Sequence, residues 1–172
     1  MTGTLVWLAL SVAAFVGSHL LLSARHIRHA LVALLGEMAF LGVYSSIALA
    51  TFVWMIEAYA AAPYLELWSP PTAFRHLSLT VMPFACILVV AGLTSPSPAA
   101  VSLDPQALAV RDPVGIQKIT RHPVMWGFIL WGVSHLLANG DVAAMLLFGG
   151  NTALALLGAL HIDARKHLLL GH

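Results

Sequence analysis

Charge is what this chain most lacks. Lys and Arg number 8, and Asp and Glu 7, among 172 residues, so charged side chains make up 9%. With a formal net charge of +1 and no long basic run, there is no patch to track a phosphate backbone, and nucleic acid is not an expected partner. Cysteine is nearly absent as well: Cys86 stands alone, which rules out an internal disulfide framework. The N-terminal stretch MTGTLVWLALSVAAFVGSHLLL lacks a positive leader and a small-residue cleavage site, so it reads as a retained span and not as a signal peptide.

Apolar residues fill the space that charge leaves. They make up 60% of the chain, against roughly 45–50% in soluble domains, and the mean hydropathy is +0.90. The expectation is an all-α, polytopic membrane helical bundle, a single integral membrane domain over residues 1–172 with the lipid bilayer as its main partner. Five apolar stretches stand out, at about 4–23, 38–60, 76–93, 123–138 and 142–161, the fourth being the shortest. Each is close to the ~20 residues needed to cross a bilayer core. Between the first two lies SARHIRHALVALLGE, in which Ile27, Leu31, Leu34 and Leu35 share a helical face while Arg25, Arg28 and His29 fall elsewhere. That pattern suits either an interfacial helix or a continuation of span one.

The segment 60–75 carries Pro63, Pro70, Pro71, Tyr64 and Trp68, and reads as an irregular connection at headgroup level. The Ser/Pro-rich segment 94–118 reads as a loop with one short helix, and Gly36-Glu37 as a helix start where a carboxylate is favoured. With the N-terminus outside, Arg25, Arg28, Arg111, Lys118, Arg121, Arg165 and Lys166 all face the cytoplasm and only Arg75 does not. The positive-inside rule therefore places the C-terminus inside, with five spans.

Ionisable side chains within spans are costly and mark function by default. Of 9 histidines, His26, His29, His167 and His172 lie near basic clusters or in the tail and read as solvated surface. His19 follows Gly17 and Ser18, and His135 lies near Gly132 and Ser134; each has small neighbours that let a helix or a flat ligand approach. Each also has a purely structural reading, as a histidine bonded to a neighbouring helix. Two imidazoles in apolar slots suit haem better than a bare metal, since no second cysteine or HxxxH pattern accompanies them. His122 differs: Arg121-His122-Pro123 places cationic side chains before a helix-starting proline, which makes either an anion site or a positive-inside anchor. The helix from Pro123 carries His122 and His135 some 20 Å apart along its axis, so they serve different roles. Asp163, Arg165 and Lys166 return to the Arg121 face after the last span. Trp126 and Trp131 read as packing.

Taken together, GSHLLLSARHIRHALVALLGEMAFLGVYS, LW-S-PP, TRHPVMWGFILWGVSHLLANGD and the terminal HIDARK resemble the NnrU family of bacterial membrane proteins, which is related to 15-cis-zeta-carotene isomerase. The likeness covers nearly the whole chain. It implies an inner-membrane protein holding haem b between axial histidines. By that resemblance His19 matches the first-helix ligand, and His135 the ligand that follows the TRHP segment. The isomerase has a cysteine three residues before the second histidine where this chain has Gly132, so ligand exchange by that cysteine is not carried over. The resemblance also implies a link to denitrification and nitric oxide, or to cis–trans isomerisation of an apolar polyene at a redox-gated haem; it assigns no catalytic residue, and although His122 and His161 match further family positions, no ligand role follows for them.

On these span limits His19 lies near the inner face and His135 near the outer. Continuation of span one toward Leu35 would bring His19 to mid-membrane, and that is the expectation; His76, at the outer end of span three, is the competing partner for His135. RHP-x-x-x-G at Arg121–Gly127 also resembles isoprenylcysteine methyltransferases. This second likeness implies S-adenosylmethionine near Arg121, His122 and Asp163, although the usual acidic pair is replaced by His161-Ile162-Asp163. A helical scaffold with merely satisfied histidines is the third reading.

Overall fold

In the computed structural model, residues 3–95 and 115–170 are described, with side chains as far as Ile162. Among the described residues there are six α-helices, five at the apolar stretches and α2 in the amphipathic segment between the first two: α1 (Leu5–Ser23), α2 (Arg25–Leu35), α3 (Glu37–Ala60), α4 (Thr72–Thr94), α5 (Pro123–Ala138) and α6 (Val142–Leu170), with a 3₁₀ turn at Gly115–Lys118. Among the described residues there is no β-strand, only an isolated bridge between Glu66 and Asp141. Helices α1, α3, α4 and the Val142–Ile162 part of α6 are long and apolar enough to cross a membrane. The 16-residue α5 rises about 24 Å, short of a ~30 Å hydrocarbon core. Most of the 94–118 connection, with Arg111, and the side chains of Asp163, Arg165 and Lys166 lie outside the described residues.

Span one does not continue to Leu35. Helix α1 stops at Ser23, where Ala24 turns to an extended conformation (φ −60°, ψ 130°) and its N–H bonds to the Leu21 carbonyl. The reason lies in the next residues: Arg25, His26, Arg28 and His29 would bring charge into the hydrocarbon on a straight helix, whereas a separate amphipathic helix keeps their polar face at the boundary. The continuation expected from the sequence is therefore overturned, and with it the placement of His19 at mid-span; His19 lies four residues from the end of α1.

The chain divides into two compact units, Met1–Ser69 with Asn139–Leu154 and Pro70–Ala138 with Ala155–His172. In the first, α1 packs on α3 and α2 touches both. Leu8, Ser11 and Val12 form the buried face of α1, and the start of α6 contributes Ala143, Ala144, Leu147 and Phe148. Gly150 lies against Val12, where any side chain would collide. Polar groups inside these helices satisfy themselves locally: Ser11 donates to Leu8 O (2.8 Å), Asn151 to Leu147 O (2.8 Å) and Thr152 to Phe148 O (2.7 Å). Such back-bonding removes the cost of a hydroxyl or amide in an apolar setting.

The headgroup-level connection of this unit is fastened by backbone bonds. Leu67 N and Trp68 N donate to Gly140 O at 2.7 and 3.1 Å, and Val142 N donates to Leu65 O at 3.0 Å. Asp141, buried, caps α6 by accepting from Ala144 N at 2.9 Å. Two segments that stand out in the sequence, LELWSPP and LANGD, are thus one structural feature.

The second unit is built on α4 against α5. Ser78 donates to Ser134 O, a Cβ on Gly127 would lie 2.9 Å from Ala85 O, and one on Gly92 would lie 2.9 Å from the Pro123 ring. As the α4 number rises the α5 number falls, so the two helices run antiparallel. Ser78, Ala85 and Gly92 recur every seven residues opposite Ser134 and Gly127, the small-residue seam that lets membrane helices approach closely.

Candidate functional site

His19 and His135 belong to different units, and each has a well-defined local environment. On α1, His19 Nδ1 is 2.8 Å from Phe15 O, and the hydroxyl of Ser18 donates to that same oxygen at 3.0 Å. The Phe15 ring packs on the imidazole at 4.3 Å between centroids, and Tyr44 of α3 meets it edge-on at 5.6 Å. On α5, His135 Nδ1 is 2.7 Å from Trp131 O, Ser134 donates to that oxygen at 3.0 Å, and the Trp131 ring lies 5.3 Å from the imidazole. Both histidines are half-buried.

The chemistry follows from the acceptor. A carbonyl oxygen can only accept, so Nδ1 carries the hydrogen in each bond, and in the neutral ring Nε2 holds the lone pair. That is the tautomer in which metal-ligating histidines are held when a backbone carbonyl takes the other ring N–H. Both sites are written the same way, aromatic-x-x-Ser-His: FVGSH at 15–19 and WGVSH at 131–135. Helical spacing makes the identity consequential, because residues i−3 from the serine and i−4 from the histidine are one residue, whose carbonyl serves both.

The remaining histidines differ from this pair. His122 is buried just ahead of α5, its N–H 3.3 Å from Thr120 Oγ1 and its carbonyl accepting from Trp126 N, as befits a helix start. His76 is exposed on the second turn of α4, and His161 is exposed on α6. Arg121 is exposed beside His122. Arg28 is held by Glu37 at 2.5 Å and lies 5.5 Å from the Phe40 ring centre, so the cation of α2 is tied to the carboxylate that opens α3. Among the described residues, no group of three or more His, Cys, Asp or Glu could hold a bare metal ion.

Sequence reasoning missed the aromatic surroundings, Phe15 and Tyr44 at His19 and Trp131 at His135. The repeated aromatic-x-x-Ser-His pattern was the available signal, and with it Trp131 stands against a candidate ligand and not merely in packing; Trp126 is 47% exposed. No curated protein and no solved structure matched the chain. The NnrU protein family model matches residues 7–170. That match takes in α1 through α6, both Ser-His sites and the four long apolar helices, and the chain therefore belongs to the NnrU family of membrane proteins.

Proposed function

We propose that this NnrU-family chain binds haem b, which His19 and His135 would hold through their imidazoles, and acts as a redox-gated haem protein of the bacterial inner membrane. The observation that carries the reading is the shared tautomer: in both cassettes Nδ1–H is committed to the i−4 carbonyl, so Nε2 is the nitrogen suited to iron. Donor chemistry fits the group, because two neutral imidazoles beside aromatic rings are the ligand set of low-spin haem. When bound, the haem supplies one-electron redox chemistry and, with one ligand lost, an open position for nitric oxide or an apolar polyene. The protein's part is to fix ring orientation through Phe15 O and Trp131 O and to surround the imidazoles with Phe15, Tyr44 and Trp131.

The same proposal sets the N-terminus outside and the C-terminus inside, from the distribution of Arg and Lys. Its test is an absorption spectrum of the detergent-purified protein, oxidised and reduced. A bis-imidazole spectrum is expected, lost in His19→Ala and in His135→Ala and retained in His76→Ala. Unchanged spectra in the first two variants would sink the assignment. Binding of S-adenosylmethionine with no haem after supplementation would favour methyl transfer near Arg121 and His122 instead.

A further inference from the structure

A different part of the first unit carries a site independent of the histidines. Where α1 begins and α3 ends, Gly3, Thr4, Trp7, Trp54, Glu57, Ala58 and Ala61 line a groove of about 420 Å³. Both helices are capped at this level, α1 by Thr4, which accepts from Trp7 N at 3.1 Å, and α3 by Ala61. For two helices long enough to cross a membrane, shared ends place the groove at the depth of lipid headgroups.

Three features define what it would hold. The Trp7 and Trp54 rings sit 4.9 Å apart at 56°, an aromatic pair whose faces attract cations. Glu57 supplies a carboxylate, and among the described residues it makes no ion pair, nor does a Lys, Arg or His line the groove. The amides of the first turn of α1, on the groove's edge, are the third feature and favour an anionic oxygen. Carboxylate and ring faces therefore suit a cation, and the helix start suits an anion beside it.

We propose that Thr4, Trp7, Trp54 and Glu57 bind the headgroup of a zwitterionic ammonium phospholipid, its ammonium at Glu57 and the tryptophan rings and its phosphate at the first turn of α1. Val6, Leu10, Val53 and Ile56, exposed on the same two helices, offer apolar surface to its acyl chains. An anionic lipid lacks the cation and meets Glu57 with like charge.

The test is native mass spectrometry of the detergent-purified full chain with equimolar short-chain phosphatidylethanolamine and phosphatidylglycerol. Phosphatidylethanolamine is expected to be retained about tenfold over phosphatidylglycerol. Glu57→Gln, at an exposed position, should abolish the preference, and Trp7→Leu, which removes an exposed ring face, should weaken retention. Equal retention of the two lipids, or a preference that survives in Glu57→Gln, would overturn the site. Saturation by soluble glycerophosphoethanolamine at the lipid's own concentration would overturn the lipid as its occupant.

Discussion

A serine one residue before a helical histidine competes for the carbonyl that holds the imidazole. At Trp131 O, the Ser134 hydroxyl at 3.0 Å and His135 Nδ1 at 2.7 Å draw on the same oxygen, as Ser18 and His19 do at Phe15 O. Each additional donor makes that oxygen a poorer acceptor for the imidazole N–H, and with the proposed haem bound it would limit the electron density Nε2 gives to iron. Removing the hydroxyl should therefore strengthen the Nδ1–H bond and, if haem binds as proposed, favour ferric iron and lower its reduction potential. We expect Ser18→Ala and Ser134→Ala to keep the bis-imidazole spectrum with a more negative midpoint in a spectroscopic redox titration, and Ser→Thr, which keeps the back-bond, to restore it. An unmoved midpoint with haem retained would refute the tuning while leaving the ligands in place. Asp141 makes a separate prediction at this scale. Its carboxylate accepts from Ala144 N and is buried, so Asp141→Ala should cost ~1 kcal/mol or more in unfolding free energy, measured by denaturant titration in micelles.

At the scale of elements, the seam of α4 and α5 is the most demanding contact. A Cβ on Gly127 would meet Ala85 O at 2.9 Å and Val89 N at 3.1 Å, backbone atoms that cannot rotate away. Gly127→Leu should push the helices apart and cost about 1–3 kcal/mol, read as a lower midpoint of thermal unfolding; Gly17→Ala, where a Cβ meets nothing within 4 Å, is the control. Element positions were largely legible in the sequence, because hydropathy alone sets where a helix can lie in a bilayer: the stretches at 38–60 and 123–138 became Glu37–Ala60 and Pro123–Ala138. Proline marked the start of α5, and Glu37 after Gly36 marked the start of α3. The break at Ala24 was half legible: the amphipathic pattern offered an interfacial helix, but with no Pro or Gly from Ser23 to Leu35 continuation of span one was preferred, and charge placement ended the helix where local propensity would have extended it. The docking of 65–68 on 140–142 was equally hidden, since backbone-to-backbone bonds leave little trace in side-chain identity. Of the candidate residues, His19 and His135 could be named from the sequence and Phe15 and Trp131 could have been read from the repeated pattern, but Tyr44 could not, because it reaches His19 only through the packing of α3 on α1.

For the molecule as a whole, the consequence turns on parity. Four helices are long enough to cross, and α5, at 16 residues, is not long enough on its own length. If α5 crosses with the bilayer thinned around it, the termini lie on opposite sides; if it enters and returns, they lie on the same side. Charge favours crossing. Lys118 and Arg121 precede α5, and Asn139, Gly140 and Asp141 follow it with no cation before α6 begins, which is the asymmetry of a segment running from the cytoplasm outward. The mismatch of ~6 Å is within what a bilayer accommodates at modest cost. The 65–68 connection gives a second argument for crossing, because it bonds directly to 140–142. That connection leads out of α3, which ends at the same level as the start of α1, so the α5–α6 turn shares the side of the N-terminus. A C-terminal green fluorescent protein fusion should then fluoresce, while alkaline phosphatase fused at the C-terminus stays inactive and phosphatase inserted after Gly140 is active. Activity of the C-terminal phosphatase fusion would show that α5 does not cross, and would reverse the side on which Arg165 and Lys166 lie.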